Sequence, residues 1–105
     1  MKKLLLILGI MISSIGCSNA SSITLDPNNP IHLTVWHYYN GASQAAFDDL
    51  CQQFNTTIGK EEGIVVEGYS QGSISDLENA IIASCNKEVG ADELPNIFST
   101  YADTA

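Results

Sequence analysis

Residues 31–41 decide the fold of this chain, and they read IHLTVWHYYNG. The β-branched and aromatic residues at positions 31–39 favour an extended strand, and a nearly continuous apolar run is typical of a strand buried in a parallel sheet. The Asn40-Gly41 pair is a turn signal, so we expect the strand to end there.

A helix and a second strand are predicted after this turn. Apolar residues at positions 47, 50, 51, 54 and 58 lie on one face of a helix over residues 42–58. Gly59 predicts the end of that helix, because glycine is common just past helix C-termini. Residues 63–69, which contain Ile-Val-Val, predict the second strand.

The remaining residues predict one more helix and one more strand. Ser73 is expected to cap a helix whose apolar face carries residues 74, 77, 81, 85 and 89, with Gly90 at its end. Residues 95–101 predict a third strand centred on Ile97 and Phe98. Alternating strands and helices indicate an α/β fold with a parallel-type sheet flanked by helices.

The crossovers of such a sheet bear on the two cysteines outside the N-terminal region. If the third strand lies beside the first, on the side away from the second, right-handed crossovers put the two helices on opposite faces. Cys51 and Cys85 would then be separated by the sheet, whereas a disulfide needs Cα atoms within ~7 Å of each other. We therefore expect both to be buried free thiols.

The N-terminal residues indicate export. Lys2 and Lys3 precede an uncharged, mostly apolar stretch at residues 4–15, which is shorter than the ~20 residues of a membrane-spanning helix and is typical of a secretory signal. Residues 13–17, SSIGC, resemble a bacterial lipobox, in which Cys17 becomes the lipidated N-terminus, although Ser14 stands where leucine is favoured. Secretion without lipid and an uncleaved anchor are the alternatives.

These observations divide the chain into three parts. Residues 1–17 are expected to be a lipoprotein signal peptide, residues 18–30 a flexible Ser/Asn/Pro-rich tether, and residues 31–105 a folded but truncated α/β unit. The expected location is the cell envelope, on the outer face of the cytoplasmic membrane or in the periplasm. Contact with the membrane would be through the lipid anchor.

Charge excludes some partners. Residues 17–105 contain all 12 acidic residues but only two bases, Lys60 and Lys87. Nucleic-acid binding needs clustered lysine and arginine, and so does electrostatic docking on anionic lipid. Neither nucleic acid nor an anionic membrane surface is therefore an expected partner.

A binding site is expected beyond the carboxyl ends of the strands, where ligands bind in open α/β sheets. The loops there offer aromatic rings, amides, hydroxyls and one acid but no cation, a combination suited to the faces and hydroxyls of sugars. The candidate ligand-binding residues are Trp36, His37, Tyr39, Gly72, Ser73 and Tyr101.

Several of these residues have ordinary structural explanations. Trp36 is either core or a stacking platform, and Ser73 is a helix cap by default. His37 is expected to be structural or ligand-lining, because no second ligand or catalytic partner lies at a suitable spacing. No nucleophile elbow, phosphate loop or metal motif is present, so no cofactor, metal or catalytic residue is assigned.

An ordered set of short matches resembles a known family. Residues 33–41 look like the opening strand of bacterial extracellular solute-binding proteins of the sugar-binding group, the receptor lipoproteins of ABC importers. These include the maltose- and glycerol-3-phosphate-binding types. The resemblance continues through Phe47, Leu50, Phe54-Asn55, residues 63–66, Gly72-Ser73 and residues 94–98.

The resemblance implies a two-lobed clamshell several times this length, of which this chain would be part of the first lobe. It also implies a carbohydrate-like solute and ABC permease subunits as partners, and no enzymatic activity. Ile74 and Ala102 depart from the pattern of the glycerol-phosphate receptors. These two departures favour a carbohydrate over glycerol phosphate as the ligand. The alternatives are a non-functional truncated gene product, the N-terminal part of an exported α/β enzyme with His37 as base, and a structural lipoprotein.

Overall fold

A computed structural model describes residues 22–101 as a small α/β unit. Its three strands are β1 Ile31–His37, β2 Ile64–Ser70 and β3 Ile97–Phe98. They form one parallel sheet in the order β2-β1-β3, so the stretch that opens the folded unit is the central strand. This confirms the predicted α/β class with a parallel sheet flanked by helices, and the third strand does lie beside the first, on the side away from the second. The helices are α1 Gly41–Thr56, α2 Ile58–Glu62 and α3 Ile74–Cys85.

The predictions for the signal peptide and its lipidated Cys17 concern residues outside this range, as do residues 18–21 of the tether. Of the tether region, residues 26–29 form a turn closed by the amide of Asn29 and the carbonyl of Asp26, 3.0 Å apart. The amide of Ile31 then donates to the carbonyl of Gly63 at 2.9 Å. The last residues before β1 are thereby held against the start of β2.

The first helix ends differently from the prediction. α1 stops at Thr56, Thr57 breaks the helical backbone with φ −119° and ψ −105°, and a short helix α2 follows. Gly59 lies inside α2, so the prediction that it ends the helix was wrong. The left-handed residue that ends α2 is Gly63, with φ +79°.

Gly59 is instead required for packing. A Cβ at this position would collide with the carbonyl oxygen of Ile64 and with the ring and carbonyl of Phe54. It is buried, and the backbones of α2 and β2 approach each other there. A glycine selected for close approach has the same appearance in sequence as one selected for helix termination.

The third strand and the second long helix are shorter than predicted. α3 ends at Cys85, and Lys87 has a left-handed φ of +54°, so Val89 and Gly90 lie outside the helix. β3 is only two residues long, and both Ile97 and Phe98 are exposed. An edge strand with few hydrogen-bonded neighbours has little to extend it.

The two long helices lie on opposite faces of the sheet, as predicted. Phe47 of α1 packs edge-on against the His37 ring, with centroids 4.8 Å apart. Phe98, which pairs with Trp36 on the other face, lines one groove with Leu77 and Ile81 of α3. The core is small, and its buried apolar side chains are Val35, Trp36 and Leu77.

The cysteine prediction was half right. Cys51 and Cys85 are both free thiols, as the opposite placement of the helices requires. Cys51 is half-buried, however, and Cys85 is exposed, because it is the last residue of α3. Within residues 22–101, no helix combines the length and the hydropathy that a bilayer crossing requires.

Candidate functional site

Three loops meet at the carboxyl edge of the sheet. Residues 38–41, 70–73 and 99–101 follow or end the three parallel strands, and together we call them the rim. Backbone hydrogen bonds tie them to the central strand: the Gln71 amide donates to the His37 carbonyl at 2.7 Å, and the Ser99 amide donates to the Trp36 carbonyl at 3.0 Å. The second and third loops are therefore both held against the end of the central strand.

Side-chain hydrogen bonds connect the first two loops of the rim. The Ser70 hydroxyl donates to the Tyr39 carbonyl at 2.7 Å. The Asn40 amide donates to the Tyr38 carbonyl at 3.1 Å and also to the carbonyl of Gly72. Gly72 has φ +98°, a conformation that favours glycine, so the loop backbone can turn towards Asn40 there.

Two tyrosines bridge the first and third loops. The rings of Tyr38 and Tyr101 are stacked at 24°, with centroids 6.1 Å apart, and their hydroxyl oxygens lie 3.4 Å from each other. The hydrogen bond with Tyr101, followed by partial desolvation, raises the pKa of the Tyr38 phenol. The pair therefore presents two neutral aromatic side chains, with their hydroxyls together, at the rim.

A buried histidine supports this surface from below. His37 has no exposed surface, and its ring stacks on Tyr39 with centroids 5.1 Å apart. Its Nδ1 accepts a hydrogen bond from the Tyr39 amide at 3.1 Å. Burial lowers the pKa of His37, and the negative charge of Asp48 on α1 opposes that shift.

The N-terminus of α3 forms one margin of the rim. The Ser73 hydroxyl accepts from the Asp76 amide at 3.1 Å, and the Asp76 carboxylate accepts from the Ser73 amide at 3.1 Å. This reciprocal capping box confirms the predicted N-cap. The Ser73 hydroxyl also lies 2.6 Å from an Asp76 carboxylate oxygen, so its hydrogen bonds are made within the cap.

The structure brings four of the six predicted residues to the rim: Tyr39, Gly72, Ser73 and Tyr101. His37 lies beneath it, and Trp36 is buried on the other face of the sheet, where it lines a groove with Tyr69 and Asn96. Sequence reasoning did not select Tyr38, Asn40 or Ser70. The signal available for Asn40 was its position between the end of a buried strand and a glycine.

Charge is distributed unevenly around the sheet. Within residues 22–101 the cationic side chains are Lys60 in α2 and Lys87 just after α3. Both precede a strand in the chain, which puts them towards the amino edge of the sheet, away from the rim. Asp76, next to the rim, is engaged in the capping box, whereas Glu78 lines a groove with Ser99 and Thr100 of the rim. Asp92 and Glu93 line another groove with Gln71.

The rim combines aromatic ring faces with phenol hydroxyls, which suit a polyhydroxylated ligand. Its Asn40 carboxamide nitrogen and the amides of Tyr39, Gln71 and Gly72 already donate hydrogen bonds within the protein. Among residues 22–101 no group of three or more His, Cys, Asp or Glu side chains could hold a metal ion. His37 cannot use Nδ1 as a base while that atom accepts from Tyr39.

Comparison with known proteins adds no relative. No protein-family model matches the sequence, no curated protein is similar to it, and no solved structure matches the chain.

Proposed function

We propose that this chain is part of the first lobe of a lipid-anchored solute-binding protein, which captures a carbohydrate-like solute for an ABC transporter. The observation that carries the proposal is the stacked Tyr38–Tyr101 pair, whose hydroxyls lie together at the carboxyl edge of a parallel sheet. Aromatic faces pack on the apolar faces of sugar rings, while amides and hydroxyls pair with ring hydroxyls.

Capture of the solute would require a second lobe in addition to this one. A solute would first bind to the rim of this lobe, and a second lobe would then close over it by a hinge motion. Binding to one lobe alone buries half of the ligand surface at most, so a weak, millimolar affinity is expected here. No observation on residues 22–101 favours the exported-enzyme alternative, because the unpartnered nitrogen of His37 faces Phe47 and Gly68.

Ligand binding can be tested on the full chain in detergent micelles. Saturation-transfer NMR with maltose as probe is expected to give a signal that is lost in Tyr101→Ala and in Tyr38→Ala. Tyr69→Ala is the matched control, since Tyr69 is also an exposed tyrosine but lies on β2, where its hydroxyl contacts Glu67 at 3.1 Å. No transfer to maltose or to a panel of neutral oligosaccharides, or equal loss in all three variants, would refute carbohydrate binding at the rim.

The proposed anchor has its own test. Metabolic labelling with an alkyne fatty acid is expected to tag the protein in bacterial cells, and Cys17→Ser is expected to abolish the tag. Cys85→Ser is the control, because Cys85 is exposed on α3 and outside the lipobox-like segment. Label that persists in Cys17→Ser would contradict the lipoprotein assignment.

A further inference from the structure

We propose that His37 is a pH-dependent positioning residue: neutral, it holds the Tyr39 backbone and ring in place at the rim, and protonated, it releases them. The proposal rests on the proposed function only in treating the rim as a ligand surface. The coupling itself concerns atoms within residues 37–40 and can be measured without a ligand.

The hydrogen-bond geometry determines which nitrogen of His37 carries the proton. Nδ1 accepts from the Tyr39 amide at 3.1 Å, so it presents a lone pair. A neutral imidazole has one N–H, which must then lie on Nε2. Nε2 is itself buried and has no hydrogen-bond partner among residues 22–101.

The surroundings of the ring make its neutral form the resting state. Phe47 packs edge-on against it and Tyr39 stacks on it. On β2, Gly68 lies close to the ring, since an added Cβ there would lie 3.3 Å from Nε2. These groups provide no hydrogen-bond acceptor for the N–H groups of a protonated His37 ring.

Protonation has a defined structural consequence. A proton added to Nδ1 turns that atom into a donor facing another donor, the Tyr39 amide, so their hydrogen bond cannot persist. The neighbouring links of the rim depend on the same loop, because Ser70 donates to the Tyr39 carbonyl and Asn40 donates to the Tyr38 carbonyl. Loss of the first bond therefore loosens the part of the rim that connects β1 to α1.

Burial and the charge of Asp48 act on the protonation of His37 in opposite directions. Asp48, on α1, favours the protonated ring, and its effect is smaller than that of burial, which favours the neutral ring. On the rim loop, Tyr39 brings an aromatic ring and neither a carboxylate nor an ammonium group. On β2, Gly68 brings no charged group. His32, on the same strand, is exposed and serves as a reference histidine.

The test is a pH titration of the full 105-residue chain in micelles. The Tyr39 amide and the His37 ring nitrogens are followed by NMR from about pH 7.5 to about pH 4.5. We expect an Nε2–H tautomer at the upper pH, and a Tyr39 amide signal that shifts with the same midpoint as the His37 ring. Hydrogen-exchange protection of that amide, corrected for intrinsic rate, should fall about five- to tenfold over this transition.

Variants separate positioning from simple packing. His37→Asn can place an amide oxygen where Nδ1 lies, so it should keep the protection of the Tyr39 amide and remove its pH dependence. His37→Phe keeps a ring but has no acceptor, so protection should be low at both ends of the titration. His32→Gln should behave like the unmodified chain.

A His37 titration that leaves the Tyr39 amide unmoved would overturn the proposal, and that result needs no variant. Full protection in a folded His37→Phe variant would also overturn it. A chain that shows the coupled titration but binds no sugar would refute the proposed function and leave the positioning role of His37 standing.

Discussion

The carboxamide of Asn55 makes two hydrogen bonds to the backbone of Val66. Its nitrogen donates to the Val66 carbonyl and its oxygen accepts from the Val66 amide, both at 2.8 Å. In the sheet that residues 22–101 form, β2 is an edge strand with β1 on one side only. A side chain of α1 therefore binds the backbone groups that a further strand would otherwise pair. This contact fastens α1 to the sheet although no residue of that helix is fully buried.

Asn55→Ala is expected to lower the free energy of unfolding by about 2 kcal/mol, because two hydrogen bonds of about 1 kcal/mol each are lost. Asn55→Asp should cost a similar amount, since a carboxylate then faces the Val66 carbonyl oxygen. Urea unfolding followed by circular dichroism measures both. Gln52→Ala is the control, because Gln52 is exposed on the same helix, and an equal loss in that variant would contradict a specific role for Asn55.

The capping box of α3 gives a second stability prediction. Ser73→Ala removes the acceptor of the Asp76 amide and should destabilise the chain by about 1 kcal/mol. Ser75→Ala changes the same residue type two positions later, where the side chain is exposed, and should be neutral or slightly stabilising because alanine is the better helix former. Equal urea midpoints for the two variants would mean that the cap contributes nothing.

Local features of the fold could be predicted from sequence. The strand at residues 31–37 is marked by its own composition, and the Ser73 cap is completed by Asp76 three residues later. The rim followed from topology, because parallel strands end at one edge. In each case the determining contacts lie within a few residues or follow from a general rule of connection.

Features that depend on contacts between distant residues could not be predicted. The Asn55–Val66 pair joins residues whose facing positions appear only once α1 lies on β2. Gly59 and Gly63 are both glycines near a helix end, and only the packing against Ile64 shows that the first is needed for close approach. His37 stood in a strand whose two faces are both covered, so sequence gave no indication of how deeply it is buried.

The buried His37 predicts how stability depends on pH. Burial lowers its pKa in the folded chain below the ordinary value of 6.5, so the unfolded chain takes up this proton first as pH falls. The contribution of neutral His37 to the free energy of unfolding is therefore complete above about pH 6.5 and is lost as pH falls from there towards the folded pKa.

Chemical denaturation of the unmodified chain and of His37→Phe across this range measures the effect. The difference between their free energies of unfolding should change in favour of the variant as pH falls, because phenylalanine has nothing to protonate. Carboxylates titrate mainly at lower pH and are common to both proteins, so they cancel in the difference. A difference that is independent of pH would show that His37 does not titrate differently in the folded and unfolded chains.

The two thiols should differ in reactivity. Burial, followed by the negative charge of Asp48, raises the pKa of the Cys51 thiol above its ordinary value of 9.0, whereas Cys85 is exposed at the end of α3. Because the thiolate is the reacting species, N-ethylmaleimide at about pH 8 should modify Cys85 roughly tenfold faster than Cys51. Peptide mapping by mass spectrometry reads each site separately, and denaturation in urea should bring the two rates together.

Asp48→Asn should speed the modification of Cys51 alone, because it removes the negative charge of Asp48 and leaves Cys51 buried. Equal native rates would contradict the prediction, because burial and Asp48 would then not slow the reaction of Cys51 in the folded chain.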